Sequence, residues 1–521
     1  MACWLNLGQI LPMNAIKFPK TLALRDSQRA YTYPQVNTRV NKLAHSLHSL
    51  GLKKGDKVAV VLENCIEIVE IFLATAKTGI IIVPINFRLV GREIEYIVNN
   101  SDAKALVVHE GFIQNVESVK SKLKNINADS FIWVKPVGAS TEKINGFREY
   151  EEFISGSSVD EPEANVEPQD TWILIYTSGT TGKPKGVVRT HESHIAFYLL
   201  NAIDLGFNEQ DVCMNVMPLC HINSVYFTFI FIYIGGSIYI HPAQSFQPEE
   251  ILQIIEKEKI TFVSLIPTHY NLILSLPEGF NKPDISSIKK LLCSSAPARK
   301  QTKKGIMDFF PGVQLYEGYG STEAGIVSIL KPWDQLRKLG SIGFETLGTY
   351  RIKILDENKN EVKDGEVGEL YSRGPMLFTE YYKLPEKTAD SFVGKWFSAG
   401  DMATRDEDGY YSIVDRKDNM IITGGENVYP SEVEEVVNMH PAVFDVAVIG
   451  MPDPKWGEKV VAVVVLKDEA KANTTENDIL EFCKDKLAGF KRPKQINLIE
   501  RDEMPRTATG KILHRILKEN S

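Results

Sequence analysis

The chain has 521 residues, 43% apolar, 24% charged and 9% aromatic, with a formal net charge of −8 at pH 7. That length is too great for one compact core and predicts two or more domains. The acidic balance excludes a general electrostatic grip on nucleic acid, so any polyanionic ligand must be held by a few local cations.

Met1-Ala-Cys-Trp-Leu-Asn6 has no basic lead-in to an apolar core, so no signal peptide is expected. Cys3, Cys65, Cys213, Cys220, Cys293 and Cys483 are scattered without a C-x-x-C. They read as reduced, mostly core thiols of a cytoplasmic protein. Lys518-Glu-Asn-Ser521 carries no peroxisomal or prenylation signal.

Residues 30 to 110 alternate helical patterns with short β-rich runs. The spacing predicts an amphipathic helix over 36–50, with Val40, Leu43, Ala44 and Leu47 on one face. A turn at 51–56, a strand at 57–62, a further helix and a strand at 79–84 follow. This alternation predicts an α/β fold with a largely parallel sheet. Ser155-Gly-Ser-Ser-Val-Asp-Glu-Pro162 reads as a flexible surface loop.

Next comes an apolar run, Thr171 to Tyr176, that predicts a buried strand leading into Tyr176-Thr-Ser-Gly-Thr-Thr-Gly-Lys-Pro-Lys-Gly186. The segment has the chemistry of a phosphate-gripping loop. Gly179, Gly182 and Gly186 let backbone N–H groups approach an anion; Ser178, Thr180 and Thr181 add hydroxyls, and Lys183 and Lys185 add charge. It is not a Walker loop, because Pro184 stands where the second glycine is needed.

The run Val225 to Ile234 is the most apolar in the chain but stops at Gly235-Gly236. It is shorter than the roughly 20 residues of a membrane helix and predicts a buried core element. The helix–strand alternation returns from Ile251 to Leu265. Beyond about 340, strands at 350–355 and 365–371 predict a β-rich subdomain. From Asp418 onward, helices at 433–439 and 477–487 and strands at 443–450 and 460–466 predict a small α+β domain.

Five further segments accompany the loop: Met217-Pro-Leu-Cys-His221, Tyr316-Glu-Gly-Tyr-Gly-Ser-Thr-Glu323, Ser398-Ala-Gly-Asp-Met402, Gly424-Gly-Glu-Asn-Val-Tyr-Pro430 and Pro505-Arg-Thr-Ala-Thr-Gly-Lys511. Together, in this order and over nearly the whole chain, they resemble the adenylate-forming superfamily. That group holds acyl-CoA synthetases, the adenylation domains of nonribosomal peptide synthetases and firefly luciferase. The resemblance implies an α/β fold with a large N-terminal domain, 1–417, of stacked α/β sheets and a β-rich subdomain at about 340–417. Asp418 would be the hinge, and 419–521 a small mobile α+β C-terminal domain.

The resemblance also implies site roles. Thr177, Ser178, Gly179, Thr181, Gly182 and Lys185 would hold phosphates. Ser295, Ala296 and Pro297, with Glu317, Gly318, Tyr319, Gly320 and Thr322, would hold adenine and the α-phosphate. Glu323, with Thr180, would take Mg²⁺, which favours a carboxylate plus substrate phosphates. Asp401 and Arg416 would bind the ribose, since a carboxylate accepts from two hydroxyls at once. Gly424, Gly425 and Glu426 would form a wall for the pantetheine of coenzyme A. His221 would gate the acyl carboxylate, and Lys511 would be the catalytic lysine, its ammonium neutralising charge as two anions meet; Glu323 and Thr180 join these two in the catalytic set.

The implied reaction joins a small carboxylic acid, ATP and CoA in two half-reactions, with the C-terminal domain rotating between them. No nucleic-acid partner and no integral membrane segment are expected; a homodimer is admitted, but no pattern speaks for it. Amino-acid substrates are disfavoured, because His221-Ile-Asn-Ser-Val225 offers no acid to pair a buried ammonium. An acyl-AMP ligase loading a carrier protein stays open, as does a non-catalytic nucleotide-binding homologue, although the intact Glu323, Asp401 and Lys511 speak against the latter. Candidate residues around the acid are Ile222, Asn223, Val225, Tyr226, the turn Ser294 to Ala298, and 318–321. The lack of arginine between Arg189 and Arg299 disfavours a second carboxylate there. The reading points to a short or medium-chain, alicyclic or aromatic monocarboxylic acid.

Overall fold

The computed structural model describes residues 6–136, 138–139, 143–177, 183–242, 245–277, 279–294, 298–506 and 512–520. They fold into two compact units, one of residues up to 339 with 345–351 and 372–397, the other of 340–344, 352–371 and 398 onward.

The first unit carries two sheets. One runs Gly325–Leu330, Gln314–Ser321, Lys290–Ser294, Phe262–Leu265, Val212–Asn215, Ser237–Ile240, Leu22–Arg25, Ala30–Thr32. Its neighbours are parallel except for the outermost pair at each end. The other runs Glu380–Tyr381, Lys185–Thr190, Thr171–Thr177, Ile81–Pro84, Lys57–Val61, Ala103–His109, Phe131–Val134, Arg148–Glu149. It is parallel from Thr171–Thr177 onward. The inner strands are unbroken apolar runs such as Val58 to Val61, as expected where helices cover both faces.

The helix expected over 36–50 is Tyr33–Ser49, with Val36, Val40, Leu43, Ala44 and Leu47 buried. Ile66–Thr78 is buried on every side and ends at Gly79, whose φ of 70° closes the helix. Its buried charges are all partnered: Glu67 with Arg29, Glu70 with Arg39 and Tyr150, Lys77 with Asn37, Asn41 and Glu161. The segment 155–162 is the exposed surface loop expected, and these contacts place it against a helix. Asn41 donates to the Val159 carbonyl, the His45 ring meets that of Asp160, and Lys77 binds Glu161, which lays the segment along Tyr33–Ser49. The apolar run at 225–234 belongs to a core helix, Ile222–Ile234, closed by Gly235. No helix among the described residues is long and apolar enough to cross a membrane.

The second unit holds an antiparallel sheet of Lys353–Leu355, Gly368–Tyr371, Asp401–Arg405, Tyr411–Arg416 and Ser341–Glu345. The strands expected at 350–355 and 365–371 are each shortened at the start, the second because Gly365 spends its N–H on the Arg405 carbonyl in a turn. A second sheet pairs Val443–Asp453 with Gly457–Leu466, flanked by Ile421–Thr423, Glu426–Val428 and Gln495–Ile499. Helices Pro430–Asn438 and Glu476–Cys483 bury Val433, Val437, Ile479 and Cys483 against it.

Candidate active site

The phosphate-loop segment connects two paired strands. Thr177 pairs with Lys185 and Tyr176 with Gly186, so strands Thr171–Thr177 and Lys185–Thr190 run antiparallel as a hairpin. Gly186 is a paired strand residue; a Cβ there would lie 2.8 Å from Leu174 Cδ1 and 3.1 Å from the Tyr176 ring, so its need is internal packing rather than an anion. Ser178, Gly179, Thr180, Thr181 and Gly182 lie outside the described residues, as do Ser295, Ala296, Pro297 and Lys511. At the mouth of the hairpin, Thr177 Oγ1 is buried without a partner among the described residues.

Glu323 is 7% exposed. Its Oε1 accepts the Tyr381 hydroxyl at 2.8 Å, and the Lys185 ammonium lies 3.3 Å from the same oxygen. Lys185 also donates to the Tyr381 oxygen at 2.8 Å, with its nitrogen 3.9 Å above that ring. Tyr381 arrives on the edge strand Glu380–Tyr381, paired with Val187, which sets it diagonally beside Lys185. No spacing rule singled out Tyr381; only the strand pairing brings it here. The carbonyls of Thr322 and Glu323 accept from Arg189 Nη1 at 3.0 and 3.1 Å, and Phe378 N–H adds a bond of 2.7 Å to the Glu323 carbonyl. Arg189 shares one strand face with Lys185, a period-2 signal present in the sequence.

Among the described residues no group of three or more His, Cys, Asp or Glu is placed to hold a metal ion. A magnesium ion here would take one carboxylate from Glu323 and complete its shell with phosphate oxygens and water, the set it prefers. The donor chemistry fits.

Strands Lys290–Ser294 and Gln314–Ser321 pair in parallel, which sets Ser294 beside Gly318 and Cys293 beside Glu317. Glu317 is 7% exposed. Its Oε1 accepts the Ala298 N–H at 3.0 Å, and Oε2 forms an ion pair with the buried Lys303, so both oxygens are engaged by the fold. A Cβ on Gly320 would come within 2.0 Å of the Gly325 carbonyl, so the antiparallel return demands glycine; at Gly318 it would meet only ordinary contacts. Tyr319, Gly318 and Thr322 are half-buried, on the same stretch as Glu323. They stand at the C-terminal ends of parallel strands, where α/β sheets bind ligands.

His221 precedes helix Ile222–Ile234, and its Nε2 is buried without a partner among the described residues. Burial, with the Arg88 charge second, pushes its pKa down to about 4, so the ring is neutral near pH 7. Two residues on, Asn223 donates to Ser294 Oγ at 2.7 Å and accepts from Ser264 Oγ at 3.3 Å, which stitches the helix to the strand ends. Val225 and Tyr226, expected around the acid, are core residues. Val225 is fully buried, and the Tyr226 ring stacks on Phe197 with centroids 3.8 Å apart.

In the second unit Asp401 and Arg416 face each other across one strand pair, with Arg416 Nη1 2.9 Å from Asp401 Oδ1. Asp401 is 7% exposed, so this is a largely shielded pair rather than a surface one. Asp418 lies in the short turn Lys417–Asn419. Gly424 and Gly425, with φ of 61° and 85°, form the tip of the hairpin joining Ile421–Thr423 to Glu426–Val428, a turn that glycine adopts without strain. Gly424 donates to the Trp456 carbonyl at 2.7 Å, and Glu426 is exposed.

Residues 11–382 match the family described as AMP-binding enzyme, and residues 432–511 its C-terminal domain. The chain is 33% identical to the long-chain-fatty-acid–CoA ligase FadD13 of Mycobacterium tuberculosis, over 99% of this chain and 98% of that ligase. It is also 33% identical to a feruloyl-CoA synthase of Amycolatopsis, over 98% and 97% of the two chains. Among solved structures, the anthranilate CoA ligase AuaEII in complex with anthranoyl-AMP is similar with a TM-score of 0.88 at 29% identity, covering 100% of this chain and 98% of that one. These whole-length matches agree: the chain belongs to the adenylate-forming superfamily of AMP-binding enzymes.

Proposed function

We propose that this enzyme is an AMP-forming acyl-CoA synthetase acting on a compact monocarboxylic acid. The observation that carries the reading is the grouping of Glu323, Lys185 and Tyr381 at the mouth of the Thr177–Lys185 hairpin, a nearly buried carboxylate with a cation beside it. In the first half-reaction a carboxylate oxygen of the acid attacks the α-phosphorus of ATP, and the bond from that phosphorus to the bridging oxygen of pyrophosphate breaks. In the second, the CoA sulfur attacks the acyl carbon of acyl-AMP as a thiolate, the carbon–oxygen bond to AMP breaks, and acyl-CoA and AMP leave.

The bound magnesium supplies charge neutralisation at the phosphates. The chain's own residues supply orientation. Lys185, held over the Tyr381 ring, presents its ammonium beside the hairpin, and Glu323 offers hard oxygens from a turn fixed by backbone bonds. Asp401 accepts the ribose hydroxyls with Arg416 beside it. The neutral His221 meets the acid's carboxyl group as a hydrogen-bonding ring without adding a proton. Lys511 brings the positive charge that lets two anions approach. Residues 419–521 form the small domain that turns about Asp418 between the steps, because a lysine at the α-phosphorus would obstruct the incoming thiol.

A panel of carboxylic acids assayed for pyrophosphate release, with and without CoA, tests the reading. Release with short or aromatic acids, with thioester formed once CoA is added, is expected. Acyl-AMP accumulating in the presence of CoA would show an acyl-AMP ligase instead, and no AMP with any acid would end the proposal.

A further inference from the structure

Arg189 is fully buried, and within the described residues its guanidinium meets no carboxylate side chain at ion-pair distance. A buried, always-charged group without a counter-ion is costly and needs a reason. Among the described residues its guanidinium hydrogen bonds run from Nη1 to the carbonyls of Thr322 and Glu323, and the Tyr226 ring lies 5.2 Å from its centre. Lys185 and Arg189 thus reach the same turn from one strand face, Lys185 at the Glu323 carboxylate and Arg189 at its backbone. The turn is fixed further by Phe378 N–H on the Glu323 carbonyl and by Ala324 N–H on Ser321 Oγ at 3.0 Å.

We propose that Arg189 is a positioning residue for adenylation: it clamps the Thr322–Glu323 backbone and so sets where the Glu323 carboxylate stands toward a metal–nucleotide complex. The inference rests on the function proposed above. An apolar replacement of similar length is the informative change, because exchanging a buried charge for an apolar group is often neutral or stabilising for the fold. A structural part and a positioning part therefore separate.

The test uses the full-length protein with ATP and Mn²⁺ and no acid, reading the water-proton relaxation of the bound ion as a measure of metal affinity in the ternary complex. ATP–pyrophosphate exchange against Mg²⁺ concentration, thioester formation from supplied acyl-AMP, and Tm complete the set. For Arg189→Met the expected result is Mn²⁺ affinity lower by about 10- to 100-fold, as for other residues that orient a metal ligand. Exchange should need correspondingly more Mg²⁺, with Tm kept and thioester formation from acyl-AMP within about twofold of wild type. Arg189→Lys, which keeps the charge, should fall between. Wild-type Mn²⁺ affinity in Arg189→Met, or both half-reactions falling together with Tm, would overturn the inference. If Arg189→Met does not fold, Arg189→Lys decides on the same measure: weakened Mn²⁺ binding supports the clamp and unchanged binding overturns it. Failure of the wild-type protein to bind Mn²⁺ with ATP would instead sink the functional reading.

Discussion

Glu317 and Glu323 stand six residues apart on one strand and the turn that follows it, equally buried, each with a lysine beside it. Their surroundings differ in kind. Glu317 looks back into the fold, where the Lys303 ammonium and the Ala298 N–H take both its oxygens. Glu323 looks toward the hairpin mouth, and its cation comes from Lys185 on the second strand of that hairpin. One carboxylate pairs with a buried helix lysine and ties two strand ends together; the other pairs with a partly exposed strand lysine. Burial alone does not mark a functional acid. The origin of its counter-charge does.

Substitutions sharpen that contrast, beginning with the largest effect. Glu323→Gln should lower ATP–pyrophosphate exchange by about 10³-fold, the size of a lost preorganised charge contact, while Tm moves little. A Tm loss matching that of Glu317→Gln would erase the distinction. Glu317→Gln strands the buried Lys303 ammonium and should cost about 3 kcal/mol or more in unfolding free energy. Pairing it with Lys303→Met should restore most of that, as measured by denaturant titration. Asp401→Asn keeps the shape but loses a charged acceptor, so its KM for ATP should rise about tenfold, with a smaller stability loss than Glu317→Gln because the Arg416 partner is 32% exposed; an unchanged KM would remove Asp401 from the nucleotide site.

The smallest effect is in pH. Burial pushes the imidazoles of His191, His221 and His269 down to about 4. Their unfolded value is near 6.5, so the unfolded chain binds more protons between those limits. Each therefore contributes stability that is complete above about 6.5 and is lost as pH falls toward 4. Tm should decline over that window, and His269→Gln should flatten the decline only in part, because the fully buried His194, whose pKa burial also pushes well down, contributes beside these three. Adenylation near pH 6.5 should show no step that vanishes in His221→Asn, because the ring is already neutral there.

Much of this was legible in the residue order. The alternation over 30–110 and the Thr171–Thr177 strand followed from apolar periodicity, and the Tyr316–Glu323 and Asp401 segments from their resemblance to the adenylate-forming superfamily. Other details depended on partners in a different element. Gly186 answers to the Tyr176 ring across a strand pair, the loop at 155–162 to Lys77 and Asn41 on two helices, and Tyr226 to Phe197 on the preceding helix. Periodicity carries no information about which elements meet.

Sequence by itself pointed to the class of chemistry, through a glycine-, hydroxyl- and lysine-rich loop suited to an anion and through segments that resemble, in their order, the adenylate-forming superfamily. It also determined the elements, because propensity and apolar period act over neighbouring residues. The tertiary structure alone decided the division of labour: which carboxylate faces the hairpin, that Tyr381 bridges it to Lys185, and that Arg189 lies beneath the turn. Those outcomes depend on strand order and burial, and the electrostatics of a buried charge are set by what packs around it rather than by what precedes it in the chain.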